Sequence, residues 1–387
     1  MIKNKTIVLT GGGSGGHLVP IISVAEVLKK EAPEYKLVYI GQKGDSLGDI
    51  MTNNPVFSAV YTVRAGKFRR YHGEGIKQIL DIKTMSLNIR DFFYVCIGFI
   101  QSLLLMGKIR PSVVFSRGGF VSVPVCFAAG IRRIPYITHD SDAIPSLANR
   151  IIGRWASLHA VALPKELYKY PASKTLSVGV PVAKDFKKVT PQMQLSAKDK
   201  LGILGNSPTV LIIGGGLGAE RINNAVTDSA KSMFKEIPNL RILHVAGRVG
   251  EDKVRQAYED AKIDNSKVEV FGFTDKVALL GEAADVVVTR AGATNLAEFS
   301  LQGKACIIIP NPVLTGGHQL KNAIAYRDKD AAVIVTEDHL GEIGTMIQML
   351  LSDTQKRQSL SENIAQFANK DASLSLTKAI VSLAQKG

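Results

Sequence analysis

Short runs of β-branched and apolar residues recur along the chain, separated by stretches whose apolar positions return every three or four residues. The runs predict strands over 7–10, 37–40, 113–116, 136–138 and 158–161 in the first half. In the second half they predict strands over 210–213, 241–245, 268–271, 286–289, 306–309 and 333–335. Helical spacing marks 21–30, a long helix within 76–107, 121–130, 145–154 and, near the end, 355–369 and 373–385. Continuous apolar strands alternating with helices mean parallel sheets built from right-handed crossovers. The stretch 179–195, with Pro181, Pro191 and no sustained period, reads as a hinge. Two domains are therefore expected, 1–182 and 183–370, with 371–387 a candidate to pack back onto the first.

Each expected domain contains a strand that runs into a glycine loop and then a helix. The first is Thr6–Thr10 followed by Gly11-Gly-Gly-Ser-Gly-Gly-His17; the second is 210–213 followed by Gly214-Gly-Gly-Leu-Gly218. Glycine lets the backbone approach a ligand closely, and the amino end of the next helix favours an anion. The first loop is not a P-loop, because no Gly-Lys-Ser/Thr follows, and the second could hold a diphosphate by the same amide geometry. The strand after the first loop ends Ile40-Gly41-Gln42, without the acid that a dinucleotide site requires. In open parallel sheets ligands sit at the carboxyl ends of the strands. Two Rossmann-like domains facing across a cleft would put a donor on one side and an acceptor on the other.

The longest charge-free apolar stretch, 92–107, is flanked by Arg90, Asp91 and Lys108. It is shorter than the roughly 20 residues a spanning helix needs, so it reads as a buried helix packed on a sheet. Cys96, Cys126 and Cys306 are scattered among apolar neighbours with no metal-type spacing, so no metal is expected. The first apolar stretch is one strand long, which argues against a signal peptide.

Charge changes the picture most. The net charge is +14, and residues 191–387 balance at 22 of each sign, so the whole excess lies in residues 1–190. An anionic partner for the first half follows, either a phosphorylated substrate, a nucleic acid or an anionic membrane. The segment 64–80 interleaves Arg64, Lys67, Arg69, Arg70 and Lys77 with Phe68, Tyr71, Ile76, Ile79 and Leu80. That mixture suits insertion into anionic lipid. No groove-reading or single-strand motif accompanies it, which disfavours nucleic acid.

Candidate chemistry gathers at predicted strand ends. His17 directly follows the first loop and is the residue type most easily tuned as a base near neutral pH; a cap or structural hydrogen bond is its plainer role. Asp140 and Asp142, in His139-Asp-Ser-Asp142, are acid/base candidates or orienting groups. Glu298 lies within two turns of the start of a helix opened by Ala293-Thr-Asn-Leu-Ala297; a carboxylate there can accept from a ribose diol or simply complement the helix dipole. His318 and Gln319 could bond sugar hydroxyls.

Taken together, GGGSGGH at 11–17, SRGGFVSVP at 116–124, HDSD and LANR within 139–150, GGGLGA at 214–219, FTD at 273–275, RAGATNLAE at 290–298 and HQLKNA at 318–323 resemble, in order, the MurG family. The resemblance runs over about residues 5–370. It implies a glycosyltransferase of the B type and inverting transfer of GlcNAc from UDP-GlcNAc, as substrate rather than cofactor, to the MurNAc 4-hydroxyl of undecaprenyl-pyrophosphoryl-MurNAc-pentapeptide (lipid I). It implies a peripheral enzyme on the cytoplasmic face of the bacterial membrane. By the same resemblance Ser14, Gly15 and Gly16 line the cleft and His17 is the base. Thr274 meets uracil, Ala293, Thr294, Asn295, Leu296, Ala297 and Glu298 hold phosphates and ribose, and Gln319 binds the donor sugar. The chain departs from the family pattern at Asp142 (usually Asn), Ala183 (usually Arg), and Gly216 and Leu217 (usually Ser-Gln). Another UDP-sugar or acceptor, or a catalytically silent binding module, are the alternatives that these changes leave open.

Overall fold

The computed structural model describes residues 5–12, 15–45, 48–66, 82–214, 219–312 and 317–386, of which 15–17 and 82–84 by backbone alone. Contacts divide the chain into two units, Met1–Ala183 with Asn369–Gly387, and Lys184–Ala368.

All five residues of β1 (Thr6–Thr10) are buried, as a strand covered on both faces requires. Further strands of this unit are β2 (Lys36–Gln42), β3 (Ala59–Val63), β4 (Val113–Ser116), β5 (Tyr136–Asp140), β6 (Leu158–Val161) and β7 (Thr175–Ser177). They form one parallel sheet in the order β3-β2-β1-β4-β5-β6-β7. Thr10 is level with both Ile40 and Ser116, so the loops leaving β1, β2 and β4 start from one edge. Helix α1 (Gly15–Glu31) covers one face through Ile21, Val24 and Leu28, each fully buried. Each such side chain contributes roughly 1.5–3 kcal/mol by leaving water.

The long predicted helix exists as α2 (Ile82–Ile109) and packs along α3 (Ser122–Ile131). Its environment differs from the buried reading. Met85, Ile89, Phe92, Phe93, Ile97, Ile100 and Leu104 are all exposed, Leu104 by 68%. These positions follow one another at helical spacing and form a single apolar stripe. The opposite face lies close against the chain: a Cβ on Gly98 would stand 1.8 Å from the Arg64 carbonyl oxygen. Met106 and Ser102 are buried there, with Asp91 paired to Arg90. Asp91 and Ser102 lie on the buried face while the apolar stripe meets water, so polarity along the helix does not mark the side that faces the core.

The second unit repeats the plan. Its strands β8 (Thr209–Ile213), β9 (Arg241–Val245), β10 (Val268–Phe271), β11 (Val286–Arg290), β12 (Ala305–Ile309) and β13 (Val333–Ile334) stand in the order β10-β9-β8-β11-β12-β13, all parallel. Helix α4 (Glu220–Glu236) follows β8, α5 (Ala293–Gln302) follows β11 and α6 (His318–Arg327) follows β12. Part of the expected hinge is helical instead. Thr190 caps Pro191–Lys200 by accepting from Met193 N, with Pro191 in the first turn, the usual start signal. The last helix, α7 (Ala372–Lys386), buries Leu376, Ile380 and Ala384 in the same core as α1. Asn369 Nδ2 secures the returning chain by donating to the Val178 carbonyl at 2.7 Å.

Candidate active site

In both sheets the strand order reverses beside the strand that carries the glycine loop, between β1 and β4 and between β8 and β11. Loops from those neighbouring strands part to opposite faces, which opens a ligand crevice at their carboxyl ends. The candidate residues fall at these two edges, and each is described within its own unit.

In the first unit, β1 delivers Gly11 and Gly12. A Cβ on Gly11 would stand 2.9 Å from Arg117 Cβ, so only glycine fits between β1 and the loop after β4. Tyr39 donates its hydroxyl to the Gly11 carbonyl at 2.5 Å. Ser14 lies outside the described residues. The backbones of Gly15, Gly16 and His17 form the first turn of α1, and their side chains also lie outside the description.

The 139–142 loop is built largely for its own support. Asp140 is 3% exposed. Its Oδ1 accepts from Asn149 Nδ2 at 2.8 Å and Ser146 N at 3.2 Å, and its Oδ2 accepts from Tyr170 at 2.8 Å. Burial raises its pKa while these donors oppose the rise. With both oxygens engaged by protein donors, Asp140 holds the loop. His139 is fully buried and is pushed down to about 3, by burial first and then by the charge of Arg117. It is therefore neutral, with Nε2 2.9 Å from the Gly179 carbonyl. Asp142 is half-buried; its carbonyl accepts from the Tyr168 hydroxyl, and its charge acts on Arg117. Arg117 is 6% exposed with Nε unpartnered. Spacing could not reveal Tyr168 and Tyr170, whose rings stack near-parallel and whose hydroxyls fasten this loop.

The second unit brings most of its candidates to one edge. Thr274 follows β10, with Oγ1 accepting from Lys276 N. Gly216 lies outside the described residues. Ala293, Thr294, Asn295, Leu296, Ala297 and Glu298 are the opening turns of α5, whose N-cap is Gly292. Asn295 Nδ2 reaches Thr289 Oγ1 at 3.3 Å. Glu298 is 9% exposed, and burial pushes its carboxyl up to about 8. Among the described residues no hydrogen bond reaches that carboxyl, so its acceptor capacity is unspent. His318 and Gln319 open α6, and Gln319 Oε1 accepts from Asn311 N at 2.9 Å. Asn322, within the matching HQLKNA motif but not singled out, donates to the Ala291 carbonyl at 3.0 Å and ties α6 to the start of α5.

Of the basic segment, Arg64 is exposed and lies 5.3 Å over the Tyr94 ring of α2. Lys67, Phe68, Arg69, Arg70, Ile76, Lys77, Ile79 and Leu80 lie outside the described residues.

Comparison with known proteins bears on the family and the fold. Residues 7–161 match the glycosyltransferase family 28 N-terminal domain, and residues 209–377 match the family 28 C-terminal domain. A UDP-N-acetylglucosamine–N-acetylmuramyl-(pentapeptide) pyrophosphoryl-undecaprenol N-acetylglucosamine transferase of Christiangramia forsetii is 30% identical over 376 residues, 96% of each chain. Its namesake in Listeria monocytogenes is 29% identical over 97% of this chain and 99% of its own. Among solved structures, MurG of Acinetobacter baumannii matches with a TM-score of 0.73 at 21% identity, over 98% of this chain and 99% of that one. Anabaena HepE, solved with UDP-glucose, matches at 0.60 and 14% identity over 99% and 100%.

Proposed function

This chain belongs to the UDP-N-acetylglucosamine–N-acetylmuramyl-(pentapeptide) pyrophosphoryl-undecaprenol N-acetylglucosamine transferase family, and from that premise we propose how its two units share the reaction. It is a glycosyltransferase of the B fold that moves GlcNAc from UDP-GlcNAc to lipid I, completing lipid II for peptidoglycan. The second unit takes the UDP-sugar and the first takes the acceptor. One observation carries this division: Glu298, buried yet with its carboxyl unspent, lies on the helix that opens at the switch point of the second sheet.

In the reaction the 4-hydroxyl of MurNAc attacks C1 of GlcNAc from the side opposite the diphosphate. The C1–O bond to the β-phosphate breaks with inversion, and the hydroxyl proton passes to the His17 imidazole. Amino ends of α4 and α5 stabilise the negative charge growing on UDP. Glu298 receives the ribose hydroxyls, Thr274 the uracil through its backbone, and Gln319, with His318, the sugar. Measuring UDP release with UDP-GlcNAc and a lipid I analogue tests the assignment. Release only with a different donor or acceptor would move the enzyme to a related transferase. UDP binding with no turnover on any pair would leave a binding module.

We place the enzyme peripherally on the cytoplasmic membrane face, through α2 rather than through the 64–80 segment alone. The exposed stripe of α2 is bordered by Arg64, Arg90 and Lys108, all exposed. Beside it Arg132 Nε donates to the Leu103 carbonyl, next to Ile131, which is 66% exposed. Apolar side chains rimmed by cations suit shallow insertion into anionic lipid.

A further inference from the structure

The second unit contains an ion-pair triad for which the transfer reaction has no stated use. Glu337, opening the short turn Glu337–Glu342, is 8% exposed. Its Oε1 accepts from Arg290 at 2.6 Å, and Arg290 is also 8% exposed. Its Oε2 pairs with Arg221, whose Nη2 also donates to the Glu337 carbonyl at 3.2 Å. Arg290 makes one more bond, to the Ile309 carbonyl at the end of β12.

The placement of the two arginines gives the triad its interest. Arg221 is in the first turn of α4, the helix that follows the second glycine loop. Arg290 is the last residue of β11, just before α5 opens at Ala293. One carboxylate therefore ties together the amino ends of the two helices that flank the switch point of this sheet. Burying a carboxylate is costly, and a packed apolar side chain would commonly serve stability as well or better. A lone acid here would also repel a diphosphate. Bracketed by two guanidinium groups the triad has a net charge of +1, the sign that a diphosphate favours.

We propose that Glu337 is a positioning residue for the diphosphate of the UDP-sugar. It fixes the starts of α4 and α5 relative to each other so that both helix ends aim at one anion. This rests on the reading of the second unit as the UDP-sugar domain.

Titrating UDP and uridine into the wild-type protein, Glu337→Gln and Arg221→Ala separates the possibilities. Glu337→Gln should weaken UDP about tenfold or more and leave uridine unchanged, because uridine lacks the diphosphate. Arg221→Ala removes only the exposed arm and should weaken UDP by roughly threefold, again sparing uridine. Unchanged UDP affinity in both variants overturns the inference. So does an equal loss of UDP and uridine, the mark of a staple that merely holds the domain together. Should Glu337→Gln fail to fold, Arg221→Ala decides by the same criteria. A wild-type protein that binds no UDP overturns the domain reading and this inference with it; wild-type binding with unaltered variants overturns the inference alone.

Discussion

Apart from the extra edge strand β7, the two sheets share one strand order and carry their loops at the carboxyl ends of their strands, yet they furnish those ends differently. Beneath the first loop most polar groups bond one another: Asp140 is held by Asn149, Ser146 and Tyr170, and His139 is neutral and bonded to Gly179, while Arg117 Nε and Asn149 Oδ1 have no partner among the described residues. At the second, Glu298 keeps its carboxyl without a protein partner among the described residues, in a buried site that strongly disfavours its charge. One edge is preassembled around its own loop. The other keeps a buried acceptor that no protein donor reaches among the described residues. The outer surfaces differ as well, since the first unit carries the positive excess and exposes the apolar stripe of α2. On the proposed division of donor and acceptor, the same fold serves two ligands through side chains placed at its strand ends.

The largest expected effect tests whether the first edge is catalytic at all. His17→Ala should lower turnover by roughly 100-fold or more while UDP affinity stays near wild type. Near-normal turnover would remove the base from the first unit, and the two edges would then differ only in what they bind.

Glu298→Gln tests the reserve at the second edge. Losing the carboxyl's bonds to a ribose diol should weaken UDP by roughly threefold to tenfold. The same change should alter stability with the opposite sign. A carboxyl raised to about 8 contributes a folded-state preference for the proton that is complete below its ordinary value of 4.5 and is lost as pH rises through 8. Melting curves of the unliganded protein from pH 6 to 9 should therefore show Glu298→Gln gaining on the wild type as pH rises. Lys304, lowered to about 8 chiefly by burial, pulls the other way in both proteins, and the comparison cancels it. Parallel curves would show that Glu298 is not held neutral in the free protein.

How much of this contrast was legible beforehand depends on the range of the contacts involved. The buried central strands are uninterrupted apolar runs, and periodicity finds them. The edge strands β3 and β7 escape it, one because its residues are mostly half-buried and alternate weakly, the other because it is three residues long. Glycine loops and the helix opened by Ala293 announce themselves, since close backbone approach leaves a compositional mark. Glu337 leaves none. It lies 116 residues from Arg221 in sequence, and only the folding of β11 and the closing turn brings the three charges together. The outward face of α2 was hidden for a different reason: the helix buries Asp91 and Ser102 and exposes an apolar stripe, the reverse of what polarity alone predicts.

Direction can be tested on that helix. Replacing Phe92, Phe93 and Leu104 together by Ser should weaken binding to anionic vesicles by about tenfold or more, because each exposed apolar side chain that inserts contributes on the order of 1 kcal/mol or more. Turnover with a water-soluble acceptor analogue should stay unchanged. Unaltered vesicle binding would return the membrane contact to residues 64–80 and end the surface contrast between the units.

The smallest effect compares two helix caps, one from each unit. Ser146 Oγ accepts from Asn149 N, and Thr190 Oγ1 accepts from Met193 N, both at 3.2 Å. Replacing either by Ala should cost about 1 kcal/mol of stability, so thermal melting should barely separate the two variants. Turnover should separate them. Losing the Ser146 cap loosens the first turn that carries Asn149, and Asn149 holds both the His139 carbonyl and Asp140. Thr190 caps a helix whose Gln194 and Lys198 bond to Asp285 near the amino end of β11, away from the strand ends that carry the candidate residues. Ser146→Ala should therefore lower turnover severalfold where Thr190→Ala leaves it alone. Equal turnover in the two would mean that the preassembled loop of the first unit tolerates slack, and that its dense bonding serves folding rather than the reaction.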